Sequence, residues 1–212
     1  MTRFILIRHG HSVANQKKCF GGQSDFPLSE LGILQAEKCA EALKDEKIDI
    51  VYASDLQRAY DTAVPVAKAH ALEVIPTKGL REIFAGKWEG LLFDELCVKY
   101  EAEFAVWRKD IGHARCTEGE SVQELADRIL ATLADIAREN EGKTVCIATH
   151  ATPIRSVCTA AAGLAAEDMA QIPWVSNASC SMFEFDNGKW RAIYIDRAEY
   201  LGDLTTSLPA NV

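Results

Sequence analysis

The feature that most restricts the fold is the alternation of short apolar runs with longer segments of helical period. Runs with strand character lie at residues 4–7, 48–53, 73–76 and 144–148. Between successive runs, apolar residues recur every three or four positions. This order is typical of βαβ units, so it predicts an α/β protein with a mostly parallel central sheet.

Capping residues locate the first two helices. Ser29 is expected to cap a helix over residues 31–43. After the second strand, Ser54-Asp55 is expected to cap the next helix, and Pro65 predicts a kink or break within it.

The second half of the chain predicts further helices and a hairpin. Residues 93–107 read as a single helix, and residues 121–142 carry the clearest amphipathic pattern. Pro153 suits the first turn of a later helix that Gly163 ends. Asp186-Asn187-Gly188 is expected to be the turn between two antiparallel strands.

The charge balance excludes some partners. Lys and Arg total 23 against 31 Asp and Glu, a formal net charge of −8. Such a chain has no general basic surface for nucleic acid or anionic lipid, so we expect no nucleic-acid or membrane partner. Any anionic ligand must be held by a local group of cations.

Length and cysteine usage indicate one cytoplasmic domain. The 212 residues favour a single domain over 1–212 with an insertion. The seven cysteines are odd in number and scattered without a Cys-x-x-Cys pair, which favours free thiols in a reducing cytosol. We find no signal peptide and no apolar run of about 18 residues.

Polar side chains follow the predicted strands at their carboxyl ends. His9 follows the first strand, and His150 follows the strand over 144–148. Arg58 lies in the first turn after the second strand, and Glu82 follows the third. Ligands of open α/β sheets bind at this edge, so these side chains are expected to converge.

Such a group suits phosphoryl transfer. The two histidines, Glu82 and two arginines, Arg8 and Arg58, could bind a dianion and move a proton. A neutral imidazole can act as nucleophile, and a carboxyl group whose pKa burial raises can protonate a leaving oxygen. The backbone N–H groups of Gly10, Gly21 and Gly22 are further candidate donors.

Seven blocks resemble a known family over about the first three quarters of the chain. In order they are Arg8-His9-Gly10-His11-Ser12-x-x-Asn15, Pro27-Leu28-Ser29-x-x-Gly32-x-x-Gln35-Ala36, Ser54-x-Leu56-x-Arg58-Ala59-x-x-Thr62-Ala63, Leu80-Arg81-Glu82, Gly86-x-Trp88-Glu89-Gly90, Gly119-Glu120-Ser121 and His150. Together they are similar to the phosphoglycerate mutase-like histidine phosphatase superfamily, branch 1.

The resemblance implies a fold and a mechanism. The fold would be a three-layer α/β/α sandwich with a helical lid at about residues 91–120. His9 would become a phosphohistidine, Glu82 would protonate the leaving group, and water would release phosphate without a metal or other cofactor. The residues expected to bind the phosphoryl group are Arg8, Asn15, Gly21, Gly22, Arg58, His150 and Ala151.

Some positions depart from the family pattern or lack a role. His11, Glu118 and Ala151 stand where many relatives carry other residues, which bears on the substrate more than on the reaction. His70 is expected to have no role. Lid residues are expected mostly to pack or face solvent, with some touching substrate; those considered are Trp107, Arg108, His113 and Arg115.

Three other functions use some of the same residues. A phosphoglycerate mutase would use the same phosphohistidine and need 2,3-bisphosphoglycerate, but the short mixed-charge insertion favours a phosphatase. A metal site at His9-x-His11 lacks further ligands. A phosphate-sensing scaffold would lack a catalytic residue, but every expected catalytic residue is present in the sequence. The substrate stays open among phosphoglycerate, sugar phosphates, phosphoamino acids and α-ribazole phosphate, and the chain is expected to be a monomer or homodimer.

Overall fold

The computed structural model describes residues 1–206, and their strands form one six-stranded sheet. The strands are β1 (Thr2–Arg8), β2 (Ile50–Ala53), β3 (Val74–Pro76), β4 (Thr144–Thr149), β5 (Cys180–Asp186) and β6 (Lys189–Arg197). Their order is β3-β2-β4-β1-β5-β6. The first four are parallel, and β5 runs antiparallel to β1 and β6. The mostly parallel sheet is confirmed.

Helices cover both faces of the sheet. They are α1 (Val13–Lys17), α2 (Glu30–Leu43), α3 (Gln57–Ala69), α4 (Phe93–Lys99), α5 (Glu101–Lys109), α6 (Val122–Glu139) and α7 (Ala151–Ala161). Phe4 and Leu6 of β1 join the core beneath α6 and α7, whereas Ile5 and Ile7 join the core beneath α2 and α3. Successive side chains of a strand point to opposite faces, so β1 is buried on both sides and the sandwich has the predicted three layers.

Most capping and turn predictions are confirmed. Ser29 accepts a hydrogen bond from the Gly32 N–H at the start of α2, and Ser121 caps α6. Asn187 and Gly188 have φ values of 49° and 77°, the left-handed values that a tight hairpin turn requires.

The expected cap and break of α3 were wrong. The helix begins after Leu56, and the Ser54 hydroxyl group instead contacts His150. Pro65 lies inside α3, which runs unbroken to Ala69. Buried Ala63 and Val66 flank the proline and pack in the core, so tertiary contacts hold both sides of it.

The expected single helix over 93–107 is two helices. Tyr100, with φ −133° and ψ 42°, separates α4 from α5. The apolar period continues across the interruption because α5 packs on buried Trp88 and Phe93 of α4 stacks on Phe104 of α5. The ring of Trp88 lies 5.6 Å from Phe104 and 6.1 Å from Trp107, between centroids.

The region over 91–120 contains α4 and α5 and is largely helical before residue 110. That it is a lid, and that 1–212 is one domain, stay predictions, and residues 207–212 lie outside the described part. All seven cysteines have free thiols. Within residues 1–206, no helix is both long and apolar enough to cross a bilayer.

Candidate active site

Three strand ends bring the predicted polar side chains together. His9 follows β1, Ser54 follows β2, and His150 follows β4. The hydrogen bonding of the sheet continues past the strands, because the His9 N–H donates to the Thr149 carbonyl and the Ser54 N–H donates to the Ala148 carbonyl, each at 2.9 Å. The sheet thus fixes the backbone from which these side chains project.

One cavity of about 90 Å³ collects most of the predicted residues. It is lined by Arg8, His9, Asn15, Gly21, Gly22, Arg58, Glu82 and Ala151. His150 is not part of the cavity wall. It is fully buried beside His9, with ring centroids 5.2 Å apart and an interplanar angle of 61°.

The two nitrogens of the His9 ring have different surroundings. Nδ1 lies 2.7 Å from the Gly10 carbonyl oxygen, which can only accept, so Nδ1 carries the proton. Nε2 therefore has a free lone pair. Burial, followed by the charges of Arg58 and Arg8, lowers the pKa of His9 well below its usual value, so the ring is neutral at physiological pH.

The His150 ring is held from one side. Its Nε2 lies 2.8 Å from the Ser54 hydroxyl oxygen, and that oxygen also accepts a hydrogen bond from the Leu56 N–H at 3.3 Å. Nδ1 of His150 is buried without a partner in the described chain. Burial, then the charge of Arg58, lowers the pKa of His150 well below its usual value.

Two buried arginines face the cavity without a carboxylate partner in residues 1–206. Arg58 donates to the carbonyls of Ser24 (2.9 Å) and Gly22 (2.7 Å), and Arg8 donates to the Val175 carbonyl at 2.5 Å. Burial lowers the pKa of both groups, that of Arg8 to about 10, so each remains a cation at neutral pH. Two buried cations in one cavity favour a bound anion.

Asn15 and the glycine loop, residues 21–24, add donors. The Asn15 side-chain oxygen accepts from the N–H and hydroxyl groups of Ser12, each at 3.0 Å, which leaves its NH₂ group unbonded in the described structure. The N–H groups of Gly21 and Gly22 likewise donate to no residue in the described range.

Gly10 does not supply the donor that the sequence suggested. Its N–H donates to the Thr62 hydroxyl group at 3.0 Å. Its glycine character has another cause: a Cβ there would lie 2.5 Å from the Gly32 carbonyl oxygen. Gly10 therefore permits a close backbone approach and is not an available anion donor.

Glu82 lines the same cavity. One carboxyl oxygen accepts from the Ile83 N–H at 2.9 Å, and the other lies 3.4 Å from the Thr152 N–H. Burial raises the pKa of Glu82, and these hydrogen bonds together with Arg58 oppose the rise only in part. The carboxyl group is thus poised to hold and release a proton.

Several contributing residues had no assigned role in the sequence. The further lining residues include Ser12, Phe20, Phe93, Trp107, Thr152 and Trp174. Of the lid residues considered above, Trp107 alone lines this cavity; His113 pairs with Asp110 and Arg115 with Glu124. Glu89 was quoted only as part of a block, yet it holds the glycine loop in place through three hydrogen bonds, from Gln23 and Ser24, and it accepts a fourth from the Ala85 N–H.

The metal hypothesis gains no support from the geometry. His11 does not line the cavity, and its Nδ1 lies 2.8 Å from the Ser29 hydroxyl oxygen. Nowhere in residues 1–206 do three His, Cys, Asp or Glu side chains form a group that could hold a metal ion.

Within residues 1–206, the α/β fold places a neutral histidine beside two arginines that have no carboxylate partner, an arrangement suited to phosphoryl chemistry. The chain belongs to the histidine phosphatase superfamily, branch 1, whose sequence profile matches residues 4–196. Family and relatives together make it a phosphoric monoester hydrolase of the histidine phosphatase type.

Named relatives include phosphatases and a mutase-like protein. Phosphoserine phosphatase 1 of Hydrogenobacter thermophilus is 34% identical over 164 residues, covering 77% of this chain and 78% of the relative. Phosphoglycerate mutase-like protein 4 of Arabidopsis thaliana is 34% identical over 195 residues, covering 89% and 82%. A mycobacterial glucosyl-3-phosphoglycerate phosphatase, solved in complex with VO₃, is 28% identical with a TM-score of 0.84, covering 92% and 99%.

Proposed function

We propose that the protein hydrolyses small phosphomonoesters through a phosphohistidine on His9, with Glu82 as general acid and then general base. The observation that carries this proposal is the His9 ring, protonated on Nδ1 by its bond to the Gly10 carbonyl and unprotonated on Nε2. A neutral nucleophile placed beside Arg8 and Arg58 is suited to attack a phosphate dianion.

The first step transfers the phosphoryl group to the protein. Nε2 of His9 attacks phosphorus, the bond from phosphorus to the ester oxygen breaks, and Glu82 gives its proton to the leaving oxygen. An alcohol, a phosphohistidine and an ionised Glu82 result. The raised pKa of Glu82 supports its starting this step protonated.

The second step regenerates the site. A water molecule attacks phosphorus, Glu82 takes one of its protons, and the bond between phosphorus and Nε2 breaks. Inorganic phosphate leaves, His9 is again neutral, and Glu82 is again protonated. The same carboxyl group therefore serves both half-reactions without net consumption of protons by the protein.

The phosphoryl oxygens are expected to meet donors on several sides. These would be Arg8, Arg58, the Asn15 NH₂ group, Nδ1 of His150, and the N–H groups of Gly21, Gly22 and Ala151. Ala151 begins α7, and the positive end of a helix favours a bound anion. Fixed donors of this kind stabilise the charge of the transition state, so no metal or other cofactor is required.

The rest of the substrate is expected to be small. A cavity of about 90 Å³ is below the roughly 300–1,000 Å³ typical of sites for drug-sized ligands. Beyond the arginines its wall is aromatic, with Phe20, Phe93, Trp107 and Trp174. The two arginines are the only cations of this cavity in the described residues, which favours monoesters over the bisphosphate that a mutase requires.

A substrate panel tests the function. Phosphate release would be measured with EDTA from 3-phosphoglycerate, phosphoserine, a sugar phosphate, α-ribazole phosphate and an aryl phosphate. A parallel assay primed with 2,3-bisphosphoglycerate would measure phosphoglycerate interconversion. Release that exceeds interconversion supports the phosphatase, whereas interconversion that exceeds release would make the protein a mutase. Release that stops with EDTA would contradict the metal-independent mechanism.

A further inference from the structure

We propose that a second anion-binding site, separate from the catalytic cavity, lies at Arg155, Arg108 and Lys109. These side chains line a neighbouring cavity of about 310 Å³. The two cavities share only the rings of Trp107 and Trp174. The site goes beyond the proposed function, because no step of hydrolysis uses it.

Arg155 is the central observation. Its side chain projects from α7 and the residue is only 3% exposed. Nη2 donates to the carbonyls of Met169 (2.8 Å) and Ile172 (2.6 Å), while Nε and Nη1 have no partner in the described chain. The guanidinium carbon lies 4.1 Å from the centroid of the Trp174 ring. Burial lowers the pKa of Arg155 to about 10, so it remains a cation at neutral pH.

A third unpartnered donor lies on Trp107, a residue that lines both cavities. The indole N–H of Trp107 is buried and donates to no residue in the range 1–206. Buried donors are nearly always bonded in folded proteins, so three of them on two residues of one cavity indicate a missing acceptor.

The surrounding charges specify that acceptor. Arg108 and Lys109 are exposed at the end of α5 and face the same cavity, and no carboxylate lines it among the described residues. The chain as a whole has a net charge of −8, so the positive charge of these three side chains is specific to this cavity. Planar guanidinium groups bind phosphate and carboxylate oxygens in pairs, so the ligand is a small molecule with one of these groups.

The wall between the cavities makes this ligand a separate molecule. Trp107 and Trp174, with ring centroids 6.3 Å apart, are the only residues that line both cavities among the described residues. Arg155 lines only the second cavity, and His9 lines only the first. Because the same rings form part of the catalytic wall, occupancy of the second site is expected to change turnover without competition for the substrate.

Calorimetric titration with inorganic phosphate tests the site. The wild-type chain is expected to bind two phosphates, one at each site. Arg58→Ala should weaken only the catalytic site. The double variant Arg108→Ala with Lys109→Ala should weaken only the second site, by at least about tenfold, and its exposed positions should leave folding intact. Arg155→Met should act in the same way, and Lys99→Ala, which removes another exposed lid cation, should change nothing.

Malonate titration of Arg58→Ala distinguishes the two sources of the anion. Tighter binding of malonate than of phosphate would indicate a metabolite carboxylate, and the reverse would indicate a phosphate. One phosphate per wild-type chain, or second-site binding unchanged in both the Arg155 and the Arg108/Lys109 variants, would overturn the proposal. These readouts do not depend on turnover, so they stand apart from the test of the hydrolase mechanism.

Discussion

The Glu89 carboxylate accepts hydrogen bonds from both the N–H and the hydroxyl group of Ser24, at 2.7 and 2.6 Å. Its other oxygen accepts from the N–H groups of Gln23 (2.8 Å) and Ala85 (3.0 Å). The Ser24 carbonyl in turn accepts from Arg58. Glu89 therefore holds the loop at Gln23 and Ser24, and this loop positions Arg58 in the candidate active site.

Replacing Glu89 tests this chain of contacts. Glu89→Gln keeps the shape of the side chain but removes its negative charge, and it leaves one acceptor oxygen for the four hydrogen-bond donors. Hydrogen bonds to charged groups contribute about 1.5–3 kcal/mol each, so we expect kcat/KM to fall about 10- to 100-fold. The loss should fall mainly on KM and on phosphate affinity, because Arg58 becomes less well positioned.

A carboxylate in the region 91–120 provides the control. Glu95 also accepts from a backbone N–H, that of Leu92, but in the described residues it contacts neither arginine nor the loop that accepts from Arg58. Glu95→Gln should keep wild-type kinetics. If Glu89→Gln and Glu95→Gln have the same kinetics, then the loop positions Arg58 without the Glu89 carboxylate.

The nucleophile can be tested against its neighbour. His9→Ala should abolish turnover and the acid-labile phosphoprotein while leaving the fold intact by circular dichroism. His11→Ala should retain activity within a few-fold, because His11 contacts Ser29 and not the cavity. Phosphoprotein in His9→Ala, or its loss in His11→Ala, would place the phosphoryl group on another residue.

The sequence could predict which edge of the sheet carries the candidate site, because parallel strands bring their carboxyl ends to one edge. It could not predict that β1 and β4 are neighbours, and this pairing is what brings His9 and His150 into contact. The interruption at Tyr100 could not be predicted, since the apolar period runs on across it and packing on Trp88 decides the geometry. Glu89 had no readable role because its donors at Gln23 and Ser24 lie more than sixty positions away.

The acid role of Glu82 predicts a dependence on the leaving group. Glu82→Gln cannot give up a proton, so alkyl phosphates, whose leaving oxygens need one, should slow by about 10²–10⁴-fold. Aryl phosphates leave as stable phenolates and should slow far less. The ratio of kcat/KM for an aryl and an alkyl substrate measures the effect. Equal slowing of both classes would remove Glu82 from the proton transfer.

The pKa shifts predict the shape of the pH profile. Burial raises the pKa of Glu82, and kcat/KM requires its protonated form, so the rate should fall as pH rises through that pKa. The pKa of His9 is lowered well below its usual value, so the acidic limb should lie below pH 6.5. With alkyl substrates, Glu82→Gln should flatten the alkaline limb and retain the acidic one. If the alkaline limb persists in Glu82→Gln, then a group other than Glu82 causes it.

Ser54 is expected to position His150, although it does not line the cavity. Its hydroxyl group is the partner of His150 Nε2 at 2.8 Å. Because Nε2 is the one acceptor that contacts the Ser54 hydroxyl group in the described residues, donation of that proton to Nε2 places the imidazole proton on Nδ1, the nitrogen that would meet a phosphoryl oxygen. Ser54→Ala should lower kcat and phosphate affinity about tenfold, and Ser54→Thr, which keeps a hydroxyl group, should restore both.

The tautomer of His150 provides a measurement that would not change if Ser54 had a purely structural role. Nitrogen chemical shifts of His150 should report Nδ1–H in the wild type and a mixture of tautomers in Ser54→Ala. Ser156→Ala removes another buried hydroxyl group, bonded to the Thr152 carbonyl, and should leave the shifts unchanged. If Ser54→Ala lowers stability as Ser156→Ala does but leaves the His150 shifts and phosphate affinity at wild-type values, then Ser54 only fills space beneath the site.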